Sequence, residues 1–86
     1  MTKKQIWQTI ALDLKRAANY LATGSKNKAN FYLAEARDMY ANQKSDGTMK
    51  NIEAYIKFEG DPEDILLSGS LISTRIAVSG IQNEPS

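Results

Sequence analysis

The sequence predicts an all-α fold, a compact four-helix bundle, on three observations. Two long stretches near the N-terminus repeat their apolar residues at alternating spacings of three and four, a short Gly-containing turn joins them, and an Asp-Pro pair opens a fourth apolar segment. Spacings of three and four place apolar side chains on one helix face, so each such stretch has a side that must be buried against a neighbour. Eighty-six residues suit one domain, expected over 1–80 and followed by a flexible tail over 81–86.

In the first stretch, Lys3 to Ala22, the stripe is Trp7, Ile10, Leu14, Ala17 and Leu21, widened by Ala11 and Ala18. Gly24 follows as a left-handed stop. Ser25 is expected to cap a second helix reaching residue 43, with Ala29, Leu33, Ala36 and Tyr40 as its stripe and Tyr32 and Met39 beside it. A three-residue connection leaves no length for a crossover, so residues 3–43 should form an antiparallel helical hairpin.

Lys44-Ser45-Asp46-Gly47 reads as a turn. Thr48 is then expected to cap a short third helix over about 48–59, carrying Met49, Ile52, Tyr55 and Ile56. Asp61 before Pro62, with Glu63 and Asp64 at the positive end of the dipole, marks the next helix start. From Ile65 to Ile81 the residues Ile65, Leu66, Leu67, Leu71, Ile72, Ile76 and Val78 do not keep to one face. A buried, central fourth helix explains this, with Gly69 and Ser73 admitting a close neighbour. The alternative is a β-hairpin over 65–81, turning at Ser68-Gly69-Ser70 and giving an α+β fold.

The chain has no histidine and no cysteine. That removes the usual neutral-pH general base, Ser-His-Asp arrangements, thiolate metal sites, disulfides and cysteine nucleophiles. No cofactor or metal is expected. The acidic group Glu59, Asp61, Glu63 and Asp64 lacks a calcium-loop pattern and is accounted for by helix-start electrostatics. Glu35 and Asp38, three apart, have no motif beside them that would make them an acid–base pair. Polar residues Gln5, Gln8, Asp13 and Lys15 interrupt any signal-like apolar run, so an unprocessed cytoplasmic protein with no membrane span is expected.

Tyr20, Gly24, Ala29, Leu33 and Ala36 resemble the small-residue spacing inside one tetratricopeptide repeat, but the likeness covers a single hairpin. A step of about 34 residues from Gly24 and Ala29 lands on Phe58 and Glu63, so no second copy follows.

The formal charge of +1 conceals an asymmetry. Residues 1–50 carry nine Lys/Arg against four acids, about +5, and residues 51–86 carry two against six, about −4. Such halves can attract one another within the fold or between two copies. The expected function is therefore a small non-enzymatic protein–protein interaction module, a self-associating adaptor or regulator acting on a protein partner or as a homodimer. Its candidate partner-binding residues are Phe31 and Phe58 as apolar contacts and Lys26, Lys28 and Arg37 for steering. The alternative is a nucleic-acid-associated accessory regulator using Lys3, Lys4, Lys15, Arg16, Lys26 and Lys28, with Tyr20, Phe31 or Tyr32 as stacking surfaces.

Overall fold

The computed structural model describes residues 2–79. Three α-helices run along it: α1 (Lys3–Ala22), α2 (Lys26–Gln43) and α3 (Pro62–Ser79), with no strand among the described residues. The all-helical expectation holds and the β-hairpin alternative for 65–79 does not; residues 80 and 81 of that segment, and the tail over 81–86, lie outside the described residues.

Helix α1 starts in a reciprocal cap. The Thr2 hydroxyl accepts the Gln5 N–H at 3.2 Å while the Gln5 side chain accepts the Thr2 N–H at 2.8 Å. It ends as expected at Gly24, whose φ of +87° is open to glycine at little cost. The Gly24 N–H donates to the Leu21 carbonyl and the Ser25 N–H to the Tyr20 carbonyl, the paired bonds of a Schellman turn. Ser25 does stand at the N-cap of α2, but its side chain makes no capping bond.

Helix α1, not the C-terminal helix, is the central element. It packs along α2 on one side and α3 on the other, while α2 and α3 barely touch. Its broad apolar arc allows this: Trp7, Ile10, Ala11, Leu14, Ala17 and Ala18 are all buried, and the alanines let neighbours come close. Gly69 on α3 sits against the backbone of Ala11 and the side chains of Leu14 and Lys15, while Lys4 and Gln8 share a cleft with Ile76 and Ala77. That order makes α3 antiparallel to α1, and hence parallel to α2.

The expected third helix is absent. Residues 44–61 instead form turns, with single 3₁₀ turns at Lys44–Asp46 and Glu53–Tyr55, so there are three helices rather than four. The apolar residues still reach the core: Met49 and Ile56 are buried in it, and Ile52 and Phe58 pack against it. Their backbone takes a tighter path, through bonds from Lys50 N–H to Gly47 O, Ile52 N–H to Met49 O and Ile56 N–H to Glu53 O, each closing over three residues. Asn51 at φ +77° breaks any continuous α-helix, and the Arg75 guanidinium takes the Thr48 and Lys50 carbonyls at 3.3 and 2.8 Å. Thr48 is not a cap; its N–H donates to Asp46 Oδ1 at 2.7 Å. The segment bridges α2 and α3, with Phe58 on Tyr40 of the one and the Lys57 N–H on Ser68 of the other. Buried Ser68 pins it there, accepting the Lys57 N–H at 2.7 Å and donating to the Asp64 carbonyl at 2.9 Å.

Candidate functional site

Because α3 has α1 on one side and residues 48–57 on a second, the rest of its circumference faces outward. Leu67 is 58% exposed, Val78 74% exposed and Leu71 half-buried. With Thr74 these stand at i, i+4, i+7 and i+11, a second helical stripe set apart from the buried one of Ile65, Ser68, Gly69, Ile72 and Ile76. Two stripes on one helix are why the sequence reads as apolar on most sides. Tyr55 is 65% exposed, and its carbonyl accepts from the buried Ser68 hydroxyl at 3.4 Å, on the other side of the helix from this stripe. Beyond Asp64 the helix carries one charged residue, Arg75, and its guanidinium is occupied by backbone carbonyls.

The ends of α3 differ in charge. Glu59, Asp61, Glu63 and Asp64 surround its start, whereas Arg75, Lys50 beside it and Lys4 across the cleft mark its end. Among the described residues the acidic and basic halves form no ion pair with each other: the pair there is Lys3–Asp46 at 3.8 Å, inside the basic half. No group of three metal-ligating side chains forms among the described residues.

A second surface lies at the α1–α2 turn. Tyr20 and Tyr32 stack with ring centroids 5.7 Å apart and planes 3° from parallel. Arg16 sits 5.7 Å from the Tyr32 centroid and Lys28 5.4 Å from that of Tyr20. Arg16, Asn19, Tyr20, Thr23 and Tyr32 line a shallow open cleft here. Exposed Phe31 meets Tyr32 edge-on at 5.3 Å. From Leu14 to Ala34 the chain has four cations, Lys15, Arg16, Lys26 and Lys28, and no acid.

The five residues singled out from sequence therefore divide. Lys26, Lys28 and Phe31 sit at the turn end of α2. Arg37 and Phe58 come together elsewhere: Arg37 Nη2 donates to the Phe58 carbonyl at 3.4 Å, and the half-buried Phe58 ring packs on Tyr40 at 5.2 Å. Phe31 and Tyr40 are nine positions apart on α2, about 13 Å at 1.5 Å per residue, so the two phenylalanines do not make one patch. Sequence reasoning missed Leu67, Leu71 and Val78; their four-then-seven spacing was the available signal.

Asp13 was also missed. It stands three residues after Ile10 and four before Ala17, on the flank of the buried stripe, and is 1% exposed. Its opposite in character is half-buried Asp46, which latches residues 44–48 to α1 by accepting Trp7 Nε1–H and the Gln43 amide, each at 2.9 Å. Burial pushes the Asp46 carboxyl up, but the bonds from Thr48, Trp7 and Gln43 outweigh it and hold it at about 2.

No family model, no curated protein and no solved structure matches this chain.

Proposed function

We propose that the protein is a non-enzymatic association module whose contact surface is the outward face of α3, and that its first partner is a second copy of itself. The observation that carries this reading is the uncharged stripe Leu67–Leu71–Thr74–Val78. A face without charge offers nothing to a charged ligand and gains most by burial against another apolar helix. Four-three-four spacing is also the seam two helices use when they pack at a shallow angle. Antiparallel α3–α3′ pairing sets the acidic start of one helix against the Lys50 and Arg75 end of the other, so opposite charges face each other across a two-fold axis.

Light scattering on a size-exclusion column tests this directly. A mass of about twice 9.6 kDa is expected at micromolar concentration and above. Replacing both Leu67 and Leu71 by lysine should return a monomer with the helical circular dichroism of the parent, because neither side chain is part of the core. A parent that stays monomeric at millimolar concentration would remove the reading.

The acid-free α1–α2 turn supports a second reading, contact with single-stranded nucleic acid through Arg16, Lys26 and Lys28, with Phe31 as the exposed ring. Three phosphate contacts predict that log affinity for a short labelled oligonucleotide falls with log salt at a slope of about −2. Lys26→Ser with Lys28→Ser should flatten that slope; salt-independent binding, or none at low salt, would dismiss it.

A further inference from the structure

We propose that enclosed Asp13 keeps its proton and donates it in a hydrogen bond to Glu35 across the α1–α2 seam, which makes the packing of α2 on α1 responsive to pH near neutrality. The Asp13 carboxyl is enclosed, and its Oδ2 has no hydrogen-bond partner. Between the Trp7–Tyr40 and Tyr20–Tyr32 ring contacts the antiparallel register of α1 and α2 sets position 13 against position 35, so the group it meets from α2 is another carboxyl, that of exposed Glu35. Two carboxylates are both acceptors, so a bond between them requires that one be protonated. The enclosed one takes the proton, because charge is costlier there than on Glu35 at the surface.

The surrounding charges do not cancel this. Arg16, one turn along α1, favours the ionised form, but its guanidinium lies over the Tyr32 ring. The charges that act most on Asp13 are Glu35 from α2 and Arg16 from its own helix. Burial first, then the Glu35 hydrogen bond and charge, raise the Asp13 carboxyl to about 7. The folded chain therefore binds a proton that the unfolded chain releases at an ordinary carboxylate pH near 4. Stability from this site is full below pH ~4 and is lost as pH rises through about 7, the reverse of a salt-bridged acid. Asp46, held at about 2, runs the other way: its contribution is present above pH ~4 and lost on strong acidification, so it is constant across the neutral range.

Two measurements test the proposal on the intact chain. Carboxyl-carbon NMR should show Asp13 titrating with a midpoint near 7; a midpoint below 5 would overturn it. Thermal unfolding should give a melting temperature that falls by about 5 °C or more between pH 5.5 and 8.5. Asp13→Asn, whose amide donates to Glu35 without titrating, should flatten that dependence and melt above the parent at pH 8.5. Glu35→Gln should shrink the dependence and lower the Asp13 midpoint, and it serves if the asparagine variant does not fold. A parent melting temperature that is flat, or rises over that range, would refute the protonated Asp13.

Discussion

Trp7→Ala is expected to cost about 3–5 kcal/mol, most of the stability of a domain this small. The indole is fully buried, meets Tyr40 edge-on at 5.6 Å and donates to Asp46, so its loss opens a cavity and releases the latch that turns the chain after α2. Trp7→Phe separates the two effects. It keeps most of the volume but removes the N–H, so a loss of about 1–2 kcal/mol is expected. Asp46 then titrates higher than about 2, and acid unfolding moves to higher pH because the carboxylate's contribution disappears earlier as pH falls. Urea unfolding followed by circular dichroism measures both. An alanine variant within about 1 kcal/mol of the parent would mean that the latch and core around Trp7 are not as described.

Gly69→Leu is the second large effect. A Cβ at this position would lie 3.0 Å from the Ala11 carbonyl oxygen and 3.1 Å from Lys15 Cγ. The lysine stem can move, but the carbonyl belongs to the backbone of α1, so a larger side chain must push α3 off the central helix. A loss of about 3 kcal/mol or more is expected, enough to detach or unfold α3. Gly69→Ala is the informative control. Its gain in helix propensity, about 1 kcal/mol, opposes the tight Cβ contact, leaving a change near zero. If leucine is tolerated as well as alanine, the α1–α3 approach is looser than the structure has it.

Much of the local structure was legible because it depends on neighbouring residues. Gly24 was readable as a stop because the left-handed turn it makes favours glycine, and the start of α3 because Pro62 follows an acidic residue and precedes two more. The apolar stripes of α1 and α2 mapped onto buried faces, except that Leu21 at the end of α1 is half-buried. Residues 48–59 misled because Met49, Ile52 and Tyr55 repeat every three residues, a spacing that serves 3₁₀ turns as well as an α-helix. What decided between them was remote: Arg75 claims the Thr48 and Lys50 carbonyls, and Ser68 claims the Lys57 N–H.

The candidate surfaces followed the same division. The basic turn was visible as a run without acids, and Phe31 as an aromatic on the polar side of α2. Phe58 was expected at the surface, but Tyr40 and Arg37 are brought to it only when the 44–61 segment folds back over α2. Asp13 could not be separated from an ordinary helix-surface acid until Glu35 stood opposite it.

The sequence by itself determined the helices α1 and α2, the hairpin turn between them, the Asp-Pro start of α3 and the absence of histidine and cysteine chemistry, while the structure decided between helix and β-hairpin after that start. The features read from sequence depend on periodicity, caps and composition, which act over a few residues. Only the tertiary structure decided that α1 is central, that 48–59 stays non-helical, that α3 keeps a second apolar stripe facing outward, and that two carboxyls meet across a seam. Each of those turns on which surfaces fit together. Helix α1 could take the centre because Ala11 and Ala18 beside Trp7, Ile10 and Leu14 make its apolar arc wide enough for two neighbours, and Gly69 lets α3 reach its backbone.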